Sequence, residues 1–270
     1  MQLIKSVFIA LIATGSVMVA GAANATDQLD ELTSPQVRAR IAAGATTIII
    51  PVGGTEQNGP FMALGKHNAR ARYFARAIAH GLGNALVAPV VAYVPEGAIH
   101  PPAAHMRFAG TISIPDAAFE ALLEGAARSF KQHGFRDVVL IGDHGGYQQN
   151  LQHVADRLTK QWAGDKSCRV HAFVDYYRAS QAPLNDALKK QGFSEADIGT
   201  HAGLADTALT LATVPDQVRA QGLAQAPKPG AADGVQGDPR RASAALAAAA
   251  AANIIQTSVS AIAQLTRAPR

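Results

Sequence analysis

Apolar and polar positions alternate along this chain in blocks that predict strands followed by helices. The run Thr46–Val52 is continuous, β-branched and apolar, the pattern of a strand buried on both faces. Before it, Ser34-Pro35 opens a helix, with Ser34 as N-cap and Pro35 in the first turn, and Gly44 closes it. From Asn68 to Leu82 apolar residues recur at helical spacing, ended by Gly81 and Gly83. Leu86–Val94 reads as a second buried strand, with Pro89 marking an edge position or a bulge. A long irregular segment, Pro95–Gly110, precedes a helix from Pro115 to about His133. Asp137–Gly142 is a third strand, Gln148–Trp162 a helix, and Arg169–Tyr176 a fourth strand. Helices follow at Pro183–Gln191 and from near His201; Gln225–Gly237 is expected to run extended over the surface. Asp238-Pro239 caps a last helix through the alanine run to about Leu265. This alternation predicts a single α/β domain with a mainly parallel sheet.

The amino-terminal pattern differs. In residues 1–25, Lys5 is the only charge, an apolar run follows from Val7 to Val19, and Ala23-Asn24-Ala25 fits a small-x-small cleavage site. That order marks a secretory signal peptide, with residues 26–270 as the exported domain and the periplasm as its expected compartment. The run is interrupted by Gly15-Ser16 and is short for a transmembrane anchor, so no membrane contact is expected after cleavage. Loss of Lys5 lowers the formal net charge from +4 to +3. Charges are scattered, without a basic run interleaved with aromatics, which argues against nucleic-acid binding. Cys168 is the only cysteine, excluding an intrachain disulfide and a cysteine-based zinc site.

Ligands of parallel sheets bind beyond the carboxyl ends of the strands. Two polar clusters fall there: Glu56 and Asn58 after the first strand, and Asp143 and His144 after the third. Gly145-Gly146 would let the chain bend sharply and leave the His144 imidazole at the strand tip. From the residues alone this is a candidate metal or acid–base site.

Five ordered segments sharpen it. PVGGTEQNGPFMALGKH resembles the signature PxGSxEQHGPHLPxxTD of the creatininase (creatinine amidohydrolase) family. FAGTISI (Phe108–Ile114) resembles FPGTISL, with His105 three residues before the Phe, and HGFRDVVLIGDHGGYQQN (His133–Asn150) resembles HGF…NGHGGN. THAGLADTALTL (Thr200–Leu211) resembles HAGxxETS, and GVQGDPRRAS (Gly234–Ser243) resembles GVxGDPxxA. The resemblance implies a three-layer α/β/α domain, a homo-oligomer (often a hexamer), and a two-metal site of zinc or manganese that hydrolyses C–N bonds of cyclic or linear amides.

Carried over by position, Glu56 and His144 match ligands, His201 matches a proton shuttle, and Asp206 stands for a Glu of the metal centre, one methylene shorter. Asn58 replaces a ligating His, and His67 replaces the Asp that bridges both metals. An imidazole offers one lone pair where a carboxylate offers two oxygens, so the two-metal centre is damaged on one side. The expectation is therefore one divalent ion, Zn or Mn, on Glu56, His67 and His144, with one position open to water. The competing expectations are an empty pocket that His67 merely fills and, less favoured, the family's full two-metal site. His105 would line the pocket, Asp143 would either orient His144 or repel anions, and Lys66 is expected in solvent. The expected function is a secreted, metal-dependent amidohydrolase acting on a small-molecule amide, with His201 and Asp206 as the proton-transfer pair. Creatinine itself is not favoured, because the ligands that define the family have changed. The alternative is a non-catalytic relative that binds a small ligand or partner in the old cleft.

Overall fold

The computed structural model describes residues 26–268, so the leader expected over residues 1–25 lies outside them. Four parallel strands form the sheet in the order β2-β1-β3-β4: β1 Thr47–Val52, β2 Ala85–Val87, β3 Asp137–Gly142 and β4 Arg169–Ala172. β1 and β3 are central and fully buried, and their ladder runs from Thr47 opposite Asp137 to Val52 opposite Gly142. Both therefore end level, and the residues after them emerge side by side.

Side chains alternate across the sheet, so each central strand feeds two cores. Ile48, Ile50, Val138 and Leu140 pack on one face against α1 (Ser34–Ala42), α3 (Asp116–Gln132) and α4 (Gln148–Gln161). Ile49, Val139 and Ile141 pack on the other against α2 (Lys66–Leu82), α5 (Asp175–Lys190), α7 (Leu204–Thr213) and α8 (Ala244–Arg267). A one-turn helix, α6 (Glu195–Ile198), precedes α7. This is the three-layer α/β/α arrangement that the resemblance implied.

Four expectations change in detail. α1 has Thr33 rather than Ser34 as its N-cap, with Gln36 bonded back to the Thr33 backbone. The second strand is only Ala85–Val87; Pro89 cannot donate to the ladder, and beyond it Val91 and Val94 make isolated bridges to Val52 and Ser113. The fourth strand stops at Ala172. The aromatic-rich continuation belongs to α5, where Tyr176, Ser180, Leu184 and Leu188 form one buried stripe four residues apart, and Pro183 sits on its exposed side. Finally, Gln225–Gly237 is not a mere surface strap. Gln236 pairs with His201, and Gly237 (φ +144°) packs against Gly203, where a Cβ would fall 2.6 Å from the Ile198 carbonyl and 3.0 Å from Gly237.

α8 is long and apolar enough to cross a bilayer, but Ala247, Ala251, Ile254, Ser258 and Ile262 are buried along one face, four of them within the second core. It is a docked core helix, as its apolar positions predict, but Asp238-Pro239 caps a separate 3-10 turn (Pro239–Arg241), and α8 itself starts after Ser243. Ile254→Ala should therefore cost about 2–5 kcal/mol in denaturant unfolding. Leu265→Ala, at a position 38% exposed, should stay within about 0.5 kcal/mol. Equal effects would mean that α8 is not packed through this face.

Candidate metal centre

Beyond the level ends of β1 and β3, the chain collects charge around Glu56, whose side chain has no exposed surface. Four imidazoles surround it. His67 Nε2 lies 2.8 Å from Glu56 Oε1 and His201 Nδ1 3.7 Å from it; His105 Nε2 and His144 Nε2 lie 3.2 and 3.7 Å from Oε2. Each arrives on a different element. His67 is in the first turn of α2, which begins two residues earlier than periodicity suggests; His144 follows β3; His105 stands in the long loop; His201 precedes α7.

Hydrogen bonds assign several roles. The Gln57 carbonyl can only accept, so His201 donates to it from Nε2 (2.9 Å), leaving Nδ1 as the lone pair turned toward Glu56. The Gln57 amide donates to Gly234 O (2.9 Å) and to His105 Nδ1 (3.0 Å), which leaves His105 Nε2 3.2 Å from Glu56 Oε2 without closing a hydrogen bond to it. His67 is placed between two carboxylates, with Nδ1 2.6 Å from Asp143 Oδ2 and Nε2 against Glu56. Carboxylates only accept, so both bonds form together only when this ring donates twice and keeps no lone pair.

A buried ionic chain continues from there. Arg70 donates from Nε and Nη2 to Asp143 (2.9 and 2.7 Å) and from Nη1 to Asp206 (2.6 Å). Lys66 donates to the other oxygen of Asp206, and Tyr176 donates to Asp143 (2.8 Å). Lys66, expected in solvent, is 1% exposed. It starts α2 one residue before His67, and its ammonium pairs with Asp206 inside the protein.

These contacts set the charges. Burial alone would raise the Glu56 carboxyl, but His67, then His144 and Lys66, hold it well below the usual carboxylate range. Burial also opposes ionisation of Asp143 and Asp206. Arg70 and His67 lower the first, and Lys66 and Arg70 the second. Burial pushes His144 down to about 3 and, with Lys66, His201 down to about 4; it lowers His105 too. Glu96 behaves oppositely, since burial and the neighbouring Glu56 charge raise it to about 9.

Of the expected metal residues, the structure thus gathers Glu56, His67 and His144 around one point, with His105 and His201 beside them. Among the described residues, two groups bring donor atoms within 4.8 Å of one another: Glu56, His105 and His201; and Glu56, Glu96 and His144. His67 is in neither. Asp143 bonds His67, not His144. Asp206 does not bond His201; it accepts from Ala202 N (2.9 Å), which fixes the backbone next to that ring. Asn58 spends its amide on the carbonyls of Glu56 (2.9 Å) and Ala63 (3.1 Å). A cavity of about 110 Å³ opens against the cluster, lined among others by His67, His144, Tyr177, His201 and Asp206.

Two site residues, Glu96 and Arg70, are absent from the expected set, and Lys66 was expected in solvent. Glu96 is the only acidic residue of Pro95–Gly110, a signal that was there to use. Arg70 lies one helical turn after His67 and so shares its face. Lys66 gave no signal.

The donor chemistry fits a divalent cation. Glu56 Oε2 and both oxygens of Glu96 are buried without a hydrogen-bond donor, and buried carboxylate oxygens need a proton, a donor or a cation. A buried carboxylate ringed by imidazoles at the carboxyl end of a parallel sheet defines a candidate metal-dependent enzyme of the α/β/α class. Comparison with known proteins agrees. The family model described as creatinine amidohydrolase (Creatininase) matches residues 30–262, and the chain belongs to that family. It is 27% identical over 190 residues to the creatinine amidohydrolase of Pseudomonas putida, covering 70% of this chain and 72% of that protein. It is 30% identical over 227 residues to the mycofactocin precursor peptide peptidase of Mycobacterium tuberculosis, covering 81% and 83%. Among solved structures, a manganese form of creatininase superposes with a TM-score of 0.75 at 24% identity, covering 90% of this chain and 100% of that one. A zinc–zinc form of a mutant creatininase gives 0.75 at 23% identity, with the same coverage.

The lowered histidines predict an acid instability of the metal-free protein. In the unfolded chain His144 and His201 take up protons near 6.5; folded, they resist to about 3 and about 4. Through these two rings the unfolded state binds more protons between those values, which outweighs the single proton that Glu96 keeps in the folded state up to about 9, so stability falls as pH drops from 6.5 toward 4. Glu56 adds a further loss below 4.5, and Asp143 and Asp206 below 3.8. Thermal melts should show the upper fall, and His201→Gln should flatten it; identical slopes in variant and parent would contradict this assignment.

Proposed function

We propose that this protein hydrolyses a carbon–nitrogen bond in a small cyclic or linear amide, using one divalent ion, zinc or manganese, per chain. The observation that carries this reading is Glu56: a carboxylate with no exposed surface and one oxygen without a donor, among four imidazoles, in a chain of the creatininase family. The carbon–nitrogen specificity and the single ion are inferences from family membership and from the changes at Asn58 and His67. The amino-terminal pattern supports export to the periplasm, and the family resemblance supports a homo-oligomer, a hexamer in the first instance.

Glu56 and His144 are common to the expected ligand set and to one of the donor groups in the structure, so they would hold the ion. His67, the third member expected from the sequence, would join them only by giving up its bond to Glu56. When bound, the ion supplies Lewis acidity toward the substrate carbonyl and acidifies the attacking water. His201 is only partly exposed and neutral near pH 7, and its Nδ1 lone pair faces the centre of the cluster. It can accept a proton there and deliver it to the departing nitrogen as the C–N bond breaks. Asp206 positions this ring through Ala202, and with Lys66 and Arg70 it keeps the wall of the cavity rigid.

A panel of amides assayed with added zinc or manganese should give turnover that chelation removes. His201→Gln should lower kcat by about 10²- to 10⁴-fold. His144→Ala should abolish metal-dependent turnover while circular dichroism stays unchanged. A folded protein with no metal and no turnover would instead favour a non-catalytic relative that binds a ligand in this cleft, and two ions per chain would overturn the single-ion reading. For export, sequencing the mature amino terminus should begin at Thr26.

A further inference from the structure

Glu96 has no part in the reading above, yet its side chain is fully buried and neither carboxylate oxygen meets a donor. It follows Pro95 at the start of the long loop, and it faces the cluster rather than solvent: Oε2 lies 3.8 Å from His144 Nδ1. Glu56, Glu96 and His144 each place a donor atom within 4.8 Å of the other two. The backbone opposite is shaped to admit it. Gly54 has φ +141°, and a Cβ there would fall 2.5 Å from Glu96 Oε1. Two carboxylates facing each other in a dry pocket cannot both stay ionised unless a cation lies between them, and without one Glu96 holds a proton.

We propose that Glu96 is the third protein ligand of the metal ion, together with Glu56 and His144. The inference rests on the metal-dependent reading and changes its ligand set. His67, the residue expected to fill that role, faces a carboxylate oxygen at each nitrogen and has no lone pair to offer while those contacts stand. Asn58 is committed to backbone carbonyls through its amide nitrogen. Glu96 brings a carboxyl whose oxygens meet no donor and which a bound cation would ionise. The resulting set, two carboxylates and one imidazole, is harder than two imidazoles and one carboxylate, and suits manganese better than that set would.

Calorimetric titration of zinc and of manganese into the metal-free protein, residues 26–270, tests this without reference to turnover. The parent should bind one ion per chain. Glu96→Gln keeps the shape of the side chain and should weaken binding by more than about 100-fold, beyond the loss typical of groups that only support a ligand. Glu96→Asp, which retracts the carboxylate by one methylene, should also bind more weakly and serves if the first variant does not fold. His67→Gln, still able to donate to Glu56, should stay within about 10-fold of the parent, below the loss of a direct ligand. If the parent binds one ion and a folded Glu96→Gln binds it equally well, Glu96 is not a ligand and the metal-dependent reading survives. If the parent binds neither metal, both fail together.

Discussion

Glu56 is a carboxylate sealed from water, and the cost of burying that charge shapes everything near it. An unpaired buried carboxylate is far too costly to keep ionised, so the fold has to bring partners to it. It does so from four directions: His67 from the first turn of α2, His144 from the end of β3, His105 from the long loop and His201 from the turn before α7. The equal lengths of β1 and β3 put the carboxylate and His144 side by side. The Gln225–Gly237 segment closes the far side by holding Gln57 and the His201 backbone. Removing Glu56 would leave a ring of inward-facing imidazoles without the group that organises them.

The two substitutions within the family signature have different structural consequences. Asn58 has turned back onto the main chain and makes a local turn contact. His67 has been drawn into a buried chain of contacts, Glu56–His67–Asp143–Arg70–Asp206–Lys66, in which carboxylates and nitrogen groups alternate without a gap. Replacing one partner in such a chain strands a buried charge on its neighbour, so these six residues act as a unit. The imidazole at the bridging position thus serves the protein's own charge balance.

The layers and the order of strands were legible because continuous apolar runs and helical periodicity report burial directly. α5 was misread at its start because Phe173, Tyr176 and Tyr177 suit a strand as well as a helix, and only the downstream stripe to Leu188 decides between them. Glu56 and His144 stood out by their places after β1 and β3, and His67 and His201 through the family resemblance; the structure brings all four together. Their partners were not legible. Whether Asp143 reaches His67 or His144, and whether Lys66 faces water or Asp206, depends on how α2 lies against β3, which no local pattern encodes. Glu96 lay outside every matched segment, and its meaning comes from the pocket it enters.

The central claim is that one ion sits against Glu56 and His144 in this pocket. Anomalous diffraction from crystals grown with zinc, recorded above and below the zinc absorption edge, tests it most directly. The account predicts a single strong peak at about 2.0–2.2 Å from a Glu56 oxygen and a His144 nitrogen. A map without a peak in the pocket, or with the zinc held elsewhere while Glu56 remains bonded to the surrounding imidazoles, would contradict it.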